Sequence, residues 1–251
     1  MKRLSLLLVL LMVVGMNIGF ANNGKEGNAM QHSQKILMVV TNRDNFDADH
    51  KTGLWMEEFA VPYLNFQTAG YEVTVASPLG GNAPIDPESI RNGVPAEWSD
   101  ATKTLQYTVK LSQVDYQEYA AVVLPGGHGP LFDLASDPVL ADILKYFDSQ
   151  KRIIGAVCHG SAGLVSATTA EGKPLVAGRK MTGFTNEEER IAGLEKKVPF
   201  ALETKVRELG AEFVSATPWA DYVIVDGNLI TGQNPQSSDS FSKAILEVLA
   251  K

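Results

Sequence analysis

Cysteine is nearly missing from this chain: a single residue, Cys158, in 251. A disulfide framework within the chain is therefore excluded. Histidine is scarce as well, with only His32, His50, His128 and His159, and none beyond position 159. That gap excludes cysteine amidotransferases and serine hydrolases in which a later loop supplies the histidine. No basic cluster interrupts a formal charge of −7, and lysine and arginine are dispersed, so nucleic acid is not an expected partner. No apolar run reaches the roughly 20 residues that span a bilayer. Internal repeats and low-complexity tracts are absent.

What is present begins with a distinct amino-terminal segment. Lys2 and Arg3 precede an apolar run, Leu4 to Val14, broken only by Ser5, and Gly19-Phe20-Ala21 offers a small-x-small cleavage pattern. We expect a signal peptide over 1–21, removed after Ala21, a flexible tether over 22–34 and one catalytic domain over 35–251. Loss of two positive charges takes the formal charge to −9. Export to periplasm or medium makes the lone cysteine informative, because oxidising compartments favour paired thiols. Cys158 is then either a buried inert side chain or a reactive thiol.

Short apolar runs recur at KILMVV (35–40), YEVTVAS (71–77), AAVVLPGG (120–127), RIIGAV (152–157), AEFVSA (211–216) and YVIVDG (222–227). Helical periodicity predicts helices over 54–69, 138–150, 161–168, 199–209 and 238–249. Strands alternating with helices imply a mostly parallel sheet covered on both faces. The Pro- and Gly-rich stretch 77–98 reads as a surface excursion, since periodicity resumes after it.

Cys158 falls between the apolar run IIGAV and a segment of small residues, the pattern of a nucleophile elbow at the carboxyl edge of the sheet. A following helix would aim its amino end at the sulfur and favour thiolate. The base is then His159, His128 or a carboxylate, while Ser161 lacks the G-x-S-x-G spacing. LPGGHGP (124–130) follows another strand. Its glycines either form an anion nest for an oxyanion or serve a turn with positive φ. NRDNFDADH (42–50) carries Asp44, Asp47, Asp49 and His50. It lacks the calcium-loop glycine and glutamate and gathers too few zinc ligands, so a solvated loop is expected and no metal. Three acids at Glu187, Glu188 and Glu189 read as a solvated helix start. The stretch 218–235 reads either as a wall of the site or as a hairpin and turn.

The segments TGLWMEEFAVPY, LPGGHGPLFDL, AVCHG and MTGFTNEEE, in order along the domain that begins near Lys35, resemble the ThiJ/PfpI superfamily of the class I glutamine amidotransferase-like fold. The similarity is to its branch of glutathione-independent glyoxalases (glyoxalase III) and stress chaperones. The resemblance implies a flavodoxin-like three-layer α/β sandwich with catalytic Cys158, His159, Glu189 and Glu58. It further implies oxyanion or substrate contacts from Gly127 and His128, and Asn234 closing the far side. Glu58 would be a carboxyl of raised pKa beside the sulfur. The implied activity converts methylglyoxal-type 2-oxoaldehydes to 2-hydroxy acids (D-lactate) with no cofactor, alongside repair of glycated protein. The alternative from a different class is an exported holdase-type chaperone with a vestigial cysteine. Expected partners are the small aldehyde, glycated or unfolded proteins, and a second copy in a homodimer.

Overall fold

The computed structural model describes residues 34–251. The expected signal peptide and all but the last residue of the tether lie outside them. The strands are β1 (Lys35–Val39), β2 (Glu72–Ser77), β3 (Val109–Lys110), β4 (Ala121–Leu124), β5 (Ile153–Val157), β6 (Lys180–Met181), β7 (Glu212–Phe213), β8 (Val223–Asp226) and β9 (Leu229–Gly232). The α-helices are α1 (Met56–Thr68), α2 (Ser99–Thr104), α3 (Pro138–Ser149), α4 (Asn186–Ala192), α5 (Leu202–Glu208) and α6 (Ser238–Leu249). Seven strands form the central sheet in the order β3-β2-β1-β4-β5-β9-β8, parallel except for β8.

The apolar runs of β1, β4 and β5 show no alternation because both faces of these central strands are covered; every residue of β4 and β5 is buried. Gly155 in β5 has no side chain for a packing reason. A methyl there would come within 2.7 Å of Ile245 in α6, and within 3.0 Å of Phe241. The sheet steps one way from β1 to β2 and the other way from β4 to β5. Right-handed crossovers therefore place α1 and α3 on opposite faces, giving three layers. α6 lies beside α1 and packs on β5 and β9. The divergence of the order at β1 and β4 gathers the loops after β1, β4 and β5 along one carboxyl edge, where α/β sheets bind ligands.

Three expected elements differ from those observed. The AEFVSA run contributes only Glu212–Phe213, which pairs with Lys180–Met181 in a separate two-stranded sheet. The YVIVDG run is an antiparallel edge strand, β8, turning at Gly227 (φ 59°) into β9. It is β9, buried throughout, that pairs with β5, so the hairpin reading of 218–235 describes the backbone. The helix expected over 161–168 is a 3-10 helix over Cys158–Leu164, starting at the cysteine itself. Its seven residues are all buried, and a methyl at Gly160 would overlap the Leu124 carbonyl, so a close turn against β4 replaces a full α-helix. The 77–98 excursion carries two 3-10 turns, Pro87–Ile90 and Ala96–Trp98. Among the described residues no helix is long and apolar enough to cross a membrane.

Candidate active site

Cys158 follows β5 directly and adopts φ 55°, the left-handed region that costs a non-glycine residue about 1–3 kcal/mol. Among the described residues only Lys151 and Trp219 share a positive φ without being glycine. The strain turns the chain sharply at the strand end and presents Sγ at the carboxyl edge, as an elbow requires. Cys158 is 4% exposed, so whatever reaches the sulfur enters a nearly dry site.

Glu58 reaches the sulfur from the first turn of α1. The segment before that helix is stitched to the loop after β4: Trp55 N–H donates to the Gly126 carbonyl (3.0 Å), and Gly129 N–H to the Gly53 carbonyl (3.2 Å). Gly126 N–H then donates to Glu58 Oε2 at 2.9 Å. Oε1 of Glu58 is buried without a hydrogen-bond partner, and Cys158 is the side chain that interacts with this carboxyl. Gly126 must be glycine here, because a methyl would lie 2.5 Å from Glu58 Oε2 and 2.9 Å from Cys158 Cβ. Gly127 takes φ 88° and presses on the 53–55 backbone; its N–H faces Glu58.

Burial pushes the Glu58 carboxyl well above the carboxylate range. Burial also pushes the Cys158 thiol up, and the Glu58 charge adds to it. The expectation of a thiolate favoured by a helix end is thus corrected: the following turn is a short 3-10 helix, and desolvation dominates. Two buried acids in contact hold at most one negative charge between them. The sulfur can carry it when Glu58 keeps the proton, with His159 N–H of the backbone also drawing the thiol down.

His159 lies behind the cysteine, its Nδ1 3.6 Å from Sγ and its Nε2 2.7 Å from Glu189 Oε2. His128 Nε2 is 2.9 Å from the other oxygen, Glu189 Oε1. The imidazoles stack at 4.2 Å between centroids, tilted by 39°. Burial opposes a charge on Glu189, yet the two imidazoles outweigh it and hold this carboxyl well below the usual range. An ionised carboxylate only accepts, so both Nε2 atoms are donors and His159 Nδ1 is a bare acceptor facing sulfur. Burial, and then His128, push His159 down from 6.5 to about 4, so it is a neutral base at neutral pH.

The three consecutive glutamates face three ways because helical neighbours are 100° apart. Glu187 is exposed and lies 3.9 Å from Arg190. Glu188 closes a capping box with Thr185 and accepts from Trp219 N–H, Gln233 and Asn234. Glu189 alone reaches the histidines. Asn234 donates one amide hydrogen to Glu188 (2.7 Å) and the other to the Ala220 carbonyl (2.9 Å), and is fully buried, so it has no donor left for a substrate. Likewise His128 spends its Nε2–H on Glu189 rather than on an oxyanion.

An aromatic wall borders this cluster. Phe184 stacks on His159 at 4.5 Å, Trp219 meets Phe184 edge-on at 5.6 Å, and Phe46 packs on His128 at 5.1 Å. Sequence reasoning missed Phe184, Trp219 and the Glu188 hub. The phenylalanine stands inside the TGFTNEEE segment, but nothing local marks Trp219. Phe46 belongs to the 42–50 loop, whose acids are exposed; Asp44 pairs with Lys51 and Asp47 with His50. His128, His159 and Glu189 place ligand atoms within 4.8 Å of one another. The two Nε2–H···O bonds account for that crowding, and we assign it no metal. An open cavity of about 590 Å³ lies at Ile153, Arg179 and Asp226, at the amino end of β5 and so roughly 16 Å along the strand from Cys158.

Fold and site together define an α/β protein with a buried cysteine at an elbow, a histidine–glutamate pair behind it and a second carboxyl beside the sulfur. The chain belongs to the DJ-1/PfpI family, whose profile matches residues 52–248. It is 31% identical over 238 residues to the glutathione-independent glyoxalase hsp3101 of Schizosaccharomyces pombe, covering 87% of this chain and 97% of that one. It is 33% identical to the glutathione-independent glyoxalase HSP31 of Saccharomyces cerevisiae, covering 86% and 98%. The crystal structure of glyoxalase III from Candida albicans superposes with a TM-score of 0.79 at 28% identity, covering 86% and 97%.

Proposed function

We propose that this chain is a glutathione-independent glyoxalase that converts methylglyoxal-type 2-oxoaldehydes to 2-hydroxy acids through Cys158. The observation that supports it most is the bare Nδ1 of His159, 3.6 Å from Sγ and held in that tautomer by Glu189. Sulfur adds to the aldehyde carbon and the carbonyl oxygen becomes a hydroxyl, giving a hemithioacetal. His159 Nδ1 takes the hydrogen from that carbon as a proton, the hydroxyl proton passes to the neighbouring ketone oxygen, giving an enediolate, and His159 returns its proton to the adjacent carbon. The result is a thioester of the 2-hydroxy acid. Water adds to it, releasing the acid and restoring the thiol. Glu58, protonated, donates toward the sulfur while it carries charge.

The yeast relatives' names support the substrate class, and the same hemithioacetal would serve repair of glycated side chains. The test is methylglyoxal turnover without glutathione, with the product quantified, in wild type and Cys158→Ser. One 2-hydroxy acid per aldehyde in wild type and under a few per cent of that rate in the variant is expected. Suppression of protein aggregation with no turnover would favour the holdase alternative. Export rests on Lys2, Arg3 and the Leu4–Val14 run, and sequencing the mature amino terminus tests cleavage after Ala21.

A further inference from the structure

Glu189 is shared. Each carboxylate oxygen takes one imidazole Nε2, from His159 at 2.7 Å and from His128 at 2.9 Å, and the three side chains are 1–8% exposed. The two histidines come from different loops, His159 from the turn after β5 and His128 from the loop after β4. That second loop also carries Gly126, whose N–H holds Glu58 at the sulfur. A closed circuit results: Glu58, Cys158, His159, Glu189, His128, and back through the 126–128 backbone to Glu58. His128 is the link that closes it. Without its Nε2–H, Glu189 Oε1 would be a buried charged oxygen with no donor, and the carboxylate would be free to turn away from His159.

We propose that His128 is a positioning residue for the proton transfer: by engaging one oxygen of Glu189 it fixes the other on His159 Nε2 and keeps His159 Nδ1 aimed at the cysteine. This rests on the glyoxalase reading for its kinetic consequences and on geometry alone for its structural ones. His128 also restrains the basicity of His159. The groups facing His159 are Glu189 and Glu188 from α4, His128 from the loop after β4, and Cys158 with Glu58 behind it; Asp86 faces His128 from the loop after β2. Among them His128 lowers His159, whereas Glu189 and Glu188 raise it. Deleting His128 removes a downward push and leaves the whole carboxylate to His159, so the pKa of His159 rises.

His128→Phe keeps an aromatic ring in the stack and removes the donor; His128→Gln restores an N–H. For His128→Phe, kcat should fall about 10- to 100-fold, the scale of a misplaced catalytic group, with KM little changed. The acid limb of kcat should move up from about pH 4 toward 6.5, the range set by His159. His128→Gln should recover part of the rate. A raised KM with unchanged kcat, or a loss uniform across pH, overturns the proposal. Imidazole 15N shifts of the wild-type protein decide the case even if the variants misfold or methylglyoxal is not a substrate. Both His128 and His159 should show the Nε2–H tautomer at neutral pH, and an Nδ1–H tautomer at either overturns it. Absence of wild-type turnover would instead count against the glyoxalase reading.

Discussion

Replacing Glu187, Glu188 and Glu189 one at a time by alanine should give three different outcomes from three adjacent, chemically identical side chains. Glu188 receives five hydrogen bonds: from Thr185 N–H and Oγ1, Trp219 N–H, Gln233 and Asn234. Trp219 is 39% exposed and its bond to Glu188 is only partly buried, so water can take the acceptor's place there, but Thr185, Gln233 and Asn234 are buried. Leaving four buried donors without an acceptor at about 1 kcal/mol each costs about 4 kcal/mol. For a domain of this size each kcal/mol shifts Tm by about 2–4 °C, so Glu188→Ala should melt about 8–16 °C below wild type. Glu189→Ala strands only two imidazole donors and also removes a desolvated charge, so its Tm should fall by no more than half as much, while turnover is lost. Glu187→Ala, at the surface, should stay within about 0.5 kcal/mol of wild type. Melting followed by circular dichroism, beside methylglyoxal turnover, separates the three. Equal melting of the Glu187 and Glu188 variants would refute the assignment of Glu188 as the buried hub.

Three further outcomes follow from the site. Gly126→Ala forces a methyl against Glu58 Oε2 and Cys158 Cβ, so we expect a loss of about 1–3 kcal/mol in stability and a much larger fall in kcat; unaltered kinetics would contradict the packing. Because His159 acts as a base only when neutral, and its pKa is lowered to about 4, wild-type kcat should hold as pH falls through 6.5 and decline only near 4. Decline centred at 6.5 would mean that burial and His128 do not depress it. Glu58→Gln keeps an N–H donor beside the sulfur but removes the acid that competes with it for the one negative charge the pair can hold, so alkylation of Cys158 by iodoacetamide should reach its full rate at lower pH than in wild type; an equal or higher midpoint contradicts the shared-proton account.

Much of this was legible in the sequence because strand interiors and the elbow write themselves locally. The uninterrupted apolar runs of β1, β4 and β5 admit few readings once both faces are covered, and the run into Cys158 followed by small residues marks the turn. The resemblance of four ordered segments placed Glu58 and Glu189, which no local pattern distinguishes from surface acids. What was hidden depends on contacts made across the fold. YVIVDG and NLITG are both apolar, and only the pairing with β5 decides that the second is the buried strand. AEFVSA reads as a core strand, yet two residues of it pair outside the central sheet. His128 and Asn234 are polar residues beside the site in sequence terms, but whether they face a substrate or another side chain is set by Glu189 and Glu188, both more than 40 residues away. The thiol's raised pKa likewise comes from burial against Glu58, an acid from a different layer of the fold.

The account stands most directly on a covalent intermediate at Cys158 that His159 carries forward. In His159→Ala, sulfur can still add to the aldehyde, but the hydrogen on that carbon has no base, so the hemithioacetal should accumulate. Intact-mass spectrometry of this variant after brief exposure to methylglyoxal, with borohydride-free quenching in acid, should show one added aldehyde per chain, absent when Cys158→Ser is introduced as well. Normal turnover by His159→Ala with no adduct at Cys158 would contradict the mechanism at its centre.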